Sequence, residues 1–383
     1  MGFTAALSSF SVTLGIAAVV GAALAYLLGH DPTDPRRHLK RRLTALATLI
    51  AFLVIITTQY FAAPQDSLVA YIPGVPFPGA TIGACQVTAN DLPRANTTRA
   101  VPASDAAIAG QSFTIGGGSV FTNFLAPVAS RFDAANGTLT KISISNSGEG
   151  FNDLYQHLVD ISMADRFADP HDPITARFVD HQIGIIVFTL VVSADIGGTV
   201  RNLTTNQIKD IFAGKVTNWH EVGGPNIPIT VLNRQKSSGT RITFEQYILG
   251  GTLASNVGTE AETTQDIIDG FGRTKGAISY ISTASLTPTN QRFMFPLCID
   301  GFPPTEASVG SGNYVYWDLE HAYTYSSPAR GSAVRDFLNF LCGTDFKSHD
   351  LRNGGFLQLP QLSQDALATH PNYNFNECSP PVA

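Results

Sequence analysis

Two apolar stretches open the chain, Phe3 to Gly29 and Leu43 to Pro64, and neither carries a charged residue. Each is long enough to cross a bilayer as a helix, which takes about 20 apolar residues. Between them the segment from His30 to Arg42 holds Arg36, Arg37, Lys40, Arg41 and Arg42. So basic a loop stays on the cytoplasmic side, and Pro32 and Pro35 favour a non-helical connection. The pattern predicts an N-terminal transmembrane helical hairpin, with helices at 3–29 and 43–63 and residues 1–63 as a membrane anchor. The protein is then multi-pass in the plasma membrane, with everything after about Pro64 extracytoplasmic. Two other readings fit the same residues. Arg36 to Ala63 has the basic start, apolar middle and small terminal residues of a cleaved leader, and the two stretches would also suit a buried helix pair.

Residues 64–109 are rich in Pro, Ala, Thr and Gly with little periodicity, and read as a linker. From Gln111 the pattern changes to short apolar runs alternating with helical spacing. Strands are predicted at 112–115, 141–145, 184–192 and 227–233, and helices at 119–132, 151–159, 204–212 and 240–249. The run 184–192 is apolar throughout, as a strand buried on both faces would be. Strands alternating with helices predict an α/β fold with largely parallel sheets.

Composition narrows the function classes. Charged residues make up 14% and hydrophobic ones 44% of 383 residues, too apolar for a disordered chain. The net charge of -6 leaves no overall basic field, so no nucleic-acid partner is expected. It does not exclude a small anion, because backbone N–H groups at helix starts hold anions without net positive charge. Cys85, Cys298, Cys342 and Cys378 form no C-x-x-C pair. Outside the cytoplasm they allow two disulfides in any of three pairings, and the alternative is four buried thiols. The sequons at Asn96, Asn136 and Asn202 face the same side in this topology.

Candidate chemistry lies in three segments built as a strand, a Gly/Ser-rich turn and a helix start. They are Gly116 to Phe121, Asn146 to Gly150, and Arg234 to Thr240. Each presents unsatisfied N–H groups and a hydroxyl, glycine allows close approach, and one adds an arginine. Lys236-Ser237 resembles the tail of a nucleotide-binding P-loop but lacks its upstream glycine. There is no H-E-x-x-H or G-x-S-x-G motif, and the nine histidines show no metal-ligand spacing. Neither Ser147 nor Ser238 has a readable His/Asp partner. No enzyme activity, cofactor or metal is expected.

The order of motifs makes a resemblance specific. Gly118 to Phe121, Asn146 to Gly150, Asp160 to Asp165, Leu203 to Trp219, Ile229 to Arg234, Ser238 to Thr240 and Gly276 to Tyr280 follow one another as in the phosphate-binding proteins of ABC phosphate importers, the PstS type. The resemblance covers about residues 110–360. It implies a two-lobed periplasmic-binding-protein fold (type II) over 110–383. Lobe I would take about 110–190 and 286–383, and lobe II about 191–285. It also implies capture of inorganic phosphate between the lobes and delivery to an ABC permease. The alternatives are an oxyanion receptor or sensor signalling through the hairpin and, on the same cleft, a phosphatase.

Matched residue by residue, the implied phosphate ligands are Ser119, Val120 and Phe121, Ser147, Asp165, and Arg234, Ser238, Gly239 and Thr240. Val120 departs from the family's usual threonine and removes one hydroxyl, which Ser119 could replace. Arg234 supplies a forked donor for a tetrahedral oxyanion. Asp165 accepts a proton-bearing oxygen, which monohydrogen phosphate has and sulfate lacks near neutral pH. The structural alternatives are a helix cap or an Arg166 ion pair for Asp165, and an ordinary ion pair for Arg234. Phe212, Trp219 and Tyr280 read as core, and Glu149 and His157 as solvated.

Overall fold

A computed structural model describes residues 108–378 except 255–257 and 330, together with Cys85, Val87, Val101 and Ala103. The expected hairpin at 3–29 and 43–63 lies outside the described residues, as does most of the 64–109 linker. Among the described residues, no helix is long and apolar enough to cross a membrane.

Strand β1 (Ser112–Gly118) alternates, with Phe113 and Ile115 buried, and then runs on through three glycines. The expected turn at 116–118 is therefore strand. Gly117 has φ +100°, and a Cβ there would lie 2.3 Å from the Met163 carbonyl oxygen. Only glycine fits such a backbone so close to a neighbour. Helix α1 (Ser119–Asn136) follows without a loop and stops at Gly137 in the left-handed region. Its buried stripe is Phe121, Leu125, Val128 and Phe132, the helical period of an amphipathic face.

Strand β2 (Leu139–Ser145) leads into α2 (Ser147–Tyr155), then β3 (Ile161–Ala164) and the 15-residue β4 (Val179–Ser193). Helix α2 begins four residues earlier than the periodicity predicts. The Asn146 side chain accepts from the N–H groups of Gly148 and Glu149 at 3.0 and 3.1 Å, so the cap sits before the glycines. The short β5 (Asn202–Leu203) precedes α3 (Thr205–Phe212), which carries the expected cap at Thr204 in a box with Gln207. Then come β6 (Thr230–Arg234), α4 (Gly239–Thr243) running into a π-turn at Phe244–Ile248, and β7 (Thr259–Ala261). Helix α5 (Thr264–Phe271), β8 (Ala277–Ser282), β9 (Met294–Pro296), β10 (Cys298–Ile299), β11 (Trp317–Thr324) and α6 (Ala333–Cys342) complete the elements used below.

The main sheet runs β2-β1-β3-β11-β4-β8-β6-β7, with β9 also on β4. The prediction of largely parallel pairing holds only toward its two ends. There β1 pairs in parallel with β2 and β3, and β6 with β7 and β8. In the middle, β11 and β4 run antiparallel to each other and to β3, β8 and β9. The fold is thus an α/β mixed sheet in two lobes. Strand β4 joins them: Val179 to Val187 pairs with β11, and Phe188 to Val192 pairs with β8. Strands β9 and β10 pair with the end of β4 and with β5.

Phe212, Trp219 and Tyr280 are core, as expected. Tyr280 stacks on Phe244 at 4.3 Å, and the Trp219 indole donates to Gly276 O at 2.9 Å. Two disulfides, Cys85–Cys298 and Cys342–Cys378, select one of the three pairings. The first ties the segment before residue 108 to β10. The second ties the chain end to α6.

Candidate functional site

The three turns read from the sequence, at the ends of β1, β2 and β6, meet one another and the end of β3. One pocket is lined by Gly118, Ser119, Val120, Phe121, Asn146, Ser147, Asp165, Arg234, Ser238, Gly239, Thr240 and Glu320. All nine residues singled out from the sequence are among them. Asn146, Gly118 and Glu320 are additions. Asn146 stands beside Ser147 and was legible as a cap. Glu320 comes from β11, far along the chain, and was not read at all.

The first lobe brings the starts of α1 and α2 and the carboxylate of Asp165, just past β3. The second lobe brings Arg234 at the end of β6 and the turn into α4. The two sides touch. The Gly148 N–H donates to Ser237 O at 3.1 Å. Asp165 accepts from Ser147 Oγ at 2.5 Å and from Thr240 Oγ1 at 2.9 Å. A Cβ on Gly239 would lie 1.9 Å from Asp165 Oδ1 and 2.7 Å from Ser147 Oγ. The glycine thus admits Asp165 and Ser147 against α4.

Arg234 is 2% exposed and held on two sides. Its Nη1 donates to Thr264 Oγ1 at 3.2 Å and its Nη2 to Glu262 O at 2.9 Å. Thr264 Oγ1 also lies 3.2 Å from Ser119 Oγ, so Ser119, Thr264 and Arg234 form a relay between the lobes. The Ser119 hydroxyl contacts Thr264 and, as an acceptor there, keeps its own O–H for a ligand beside Val120. Burial lowers the Arg234 pKa from the usual arginine range, and the negative charge of Asp165 works against that shift. Arginine starts so far above neutrality that the guanidinium stays a cation in the pocket.

Asp165 caps no described helix and forms no salt bridge with Arg166, whose guanidinium lies over the Phe151 ring at 4.8 Å and feels the Asp165 charge from there. Glu149 and His157 are exposed, as expected. On residues that line the pocket, three buried donors have no partner among the described residues: Arg234 Nε, Ser238 Oγ and Asn146 Nδ2. Buried polar groups rarely stay unpaired without a ligand to satisfy them. A guanidinium, a hydroxyl and an amide on residues that line one space, with the helix starts beside them, form a site for an oxyanion. No described group of His, Cys, Asp and Glu is arranged to hold a metal ion.

Residues 100–344 match the PBP superfamily domain. The phosphate-binding protein PstS of Bacillus subtilis is 32% identical over 255 residues, covering 66% of this chain and 82% of its own length. Two solved structures share the fold. One is a phosphate ABC transporter substrate-binding protein from Clostridium perfringens with bound phosphate, at TM-score 0.58 and 22% identity, covering 65% of this chain and 99% of that one. The other is an ABC-type phosphate transport receptor from Vibrio cholerae, at TM-score 0.51 and 21% identity, covering 64% and 99%.

Proposed function

Because the chain belongs to the PBP superfamily, and within it to the PstS-type phosphate-binding proteins, we propose that it captures inorganic phosphate between its two lobes for import by an ABC transporter. It is a binding protein and not an enzyme. The observation that carries the reading is Arg234 and Asp165 buried together in one pocket with three unpartnered donors.

The roles follow from the chemistry of the groups. Arg234 Nε, Ser238 Oγ and Asn146 Nδ2 donate to phosphate oxygens. The N–H groups of Val120 and Phe121, Ser147 and Gly239–Thr240 add helix-start donors from both lobes. Asp165 accepts from the protonated phosphate oxygen, with the Ser147 and Thr240 hydroxyls turning from the carboxylate to the ligand. Sulfate has no such proton near neutral pH and would meet Asp165 as a like charge. Because the donors come from both lobes, the ligand favours the closed form, and β4 is the strand across which the lobes close.

Calorimetric titration with phosphate and sulfate tests this. The wild type is expected to bind phosphate and reject sulfate, and Asp165→Asn to narrow that preference by weakening phosphate and admitting sulfate. An unchanged preference in the variant would remove Asp165 from the role of filter.

The binding domain in this reading spans 110–383, after a linker at 64–109. Residues 1–63, as the uncharged stretches and the basic loop between them suggest, form a two-helix anchor in the plasma membrane. The binding domain is then extracytoplasmic, next to its permease. Protease added to intact cells should remove the binding domain. Full protection of it would overturn this topology.

A further inference from the structure

The oxyanion pocket contains a second carboxylate that the reading above does not use. Glu320 lines the pocket, is 1% exposed, and neither of its oxygens has a hydrogen-bond partner. Its strand fixes it there. Residues Trp317 to Thr324 are all buried, and β11 lies between β3, which leads into Asp165, and β4. Glu320 pairs with Gly184 of β4, and the register of β11 shifts directly after it.

The charges around Glu320 are mostly of its own sign. Asp165 stands at the end of β3, and Asp318 lies two residues earlier on the same strand. Burial disfavours an ionised Glu320 most, and both carboxylates repel it besides, so its pKa rises well above the usual carboxylate range. Strand β4 brings glycine alongside. The start of α1 has no acidic residue in its first turn, and that of α2 has only the exposed Glu149. Among the described residues, Arg234, from the second lobe, is the one cation lining the pocket. One guanidinium cannot balance two carboxylates and a phosphate dianion among groups so deeply buried.

We propose that Glu320 is a specificity-determining ligand that enters the complex as the neutral acid, donating its O–H to an oxygen of the bound phosphate. This rests on the phosphate reading above and deepens it. The two carboxylates then divide the work: ionised Asp165 accepts the proton of monohydrogen phosphate, and neutral Glu320 donates its own to an unprotonated oxygen. The complex thus holds one proton on the ligand and one on the protein. No bond other than hydrogen bonds forms or breaks. The Glu320 contribution to phosphate affinity is level while Glu320 is protonated. It falls as pH rises through the Glu320 pKa, because binding must then take a proton from solvent.

Glu320→Gln keeps an N–H donor and the shape but cannot ionise. Phosphate affinity of both proteins is measured by calorimetry from about pH 6 to about pH 9.5, each in two buffers of different ionisation enthalpy, and thermal melts confirm folding. Phosphate's own ionisation affects both proteins alike, so the ratio of their affinities isolates Glu320. The wild type should weaken relative to Glu320→Gln by up to about tenfold per pH unit at the alkaline end. Over the same range the wild type should take up more protons on binding than the variant, by as much as one. Parallel pH profiles with equal proton uptake would overturn the proposal. If Glu320→Gln does not fold, the wild type's proton uptake beyond that of phosphate itself decides alone, and its absence up to about pH 9.5 would overturn the proposal. A wild type that binds no phosphate at about pH 6 would instead overturn the reading on which this rests, and the proposal with it.

Discussion

At the scale of single residues, the site was legible wherever chemistry is encoded locally. Ser147, Arg234, Ser238, Gly239 and Thr240 lie in short segments whose glycines and hydroxyls announce a helix start. Glu320 carries no such signal. It sits in a strand reading Trp-Asp-Leu-Glu-His-Ala-Tyr-Thr, and only the pairing of β11 with β3 and β4 brings it to the pocket. The acidic residues at 318 and 320, two apart on one face of a wholly buried strand, were the available hint. Gly239 illustrates a residue whose identity depends on closure. The nearest atoms to a Cβ there belong to Asp165 and Ser147 of the opposite lobe. Gly239→Ala should therefore block closure and leave each lobe intact. Phosphate affinity should fall by at least about tenfold, as for a buried contact of about 1.4 kcal/mol. The melting temperature without ligand should change little. Wild-type affinity in this variant would show that the lobes accommodate the methyl.

At the scale of elements, the period of the apolar residues located β1, β2, β4, β6 and α1 to α4, left β3, β8 and β11 unread, and misjudged two joints for one reason. Glycine was read as a turn. At β1 the glycines continue the strand because α2 packs on them, with a Cβ at Gly150 coming within 2.6 Å of the Gly117 Cα. At α2 they lie inside the helix because Asn146 supplies the cap. Asn146 has two ends with two jobs: Oδ1 holds the helix start, while Nδ2 is a buried donor in the pocket. Two variants separate them. Asn146→Ala removes both and should cost about 1 kcal/mol of stability in urea unfolding. Asn146→Asp keeps the cap, so it should restore most of that stability. It should still weaken phosphate binding, because a carboxylate replaces the amide donor. Equal phosphate affinity in Asn146→Asp and wild type would confine Asn146 to capping.

At the scale of the whole molecule, the two lobes follow from pairings that no local pattern reveals. The apolar run at 184–192 was legible as a buried strand, but not that its halves would serve different lobes. The disulfide pairing was likewise open, since four cysteines constrain it only by count. The contact between lobes also depends on buried ionisable groups. Asp318 on β11 accepts hydrogen bonds from Thr243 Oγ1, from the Leu319 N–H at 2.8 Å and from Tyr373 OH at 3.1 Å. His370 lies 3.7 Å from the rings of both Trp317 and Tyr247, and its Nε2 is 2.9 Å from Trp317 O.

These two groups set opposing slopes of stability against pH. Burial raises the Asp318 pKa from 3.8 to about 7, the hydrogen bonds from Thr243 and Leu319 notwithstanding. The folded protein then binds more protons at this site than the unfolded chain, and stability falls as pH rises between about 4 and about 7. Burial lowers the His370 pKa from 6.5 to about 3, only partly opposed by its bond to Trp317 O. Here the unfolded chain binds more protons, and stability falls as pH drops from about 6.5 toward about 3. Where the windows overlap the slopes cancel in part. Asp318→Asn keeps the side-chain shape, with hydroxyls at Thr243 and Tyr373 able to accept in place of donating. It should leave the histidine slope exposed, so the variant gains stability over wild type as pH rises from about 4 to about 7 and holds the gain above it. Urea midpoints across that range, taken without phosphate, measure the difference directly. Parallel curves for the two proteins would mean that Asp318 stays ionised in the fold, with Thr243, Leu319 and Tyr373 together offsetting its burial.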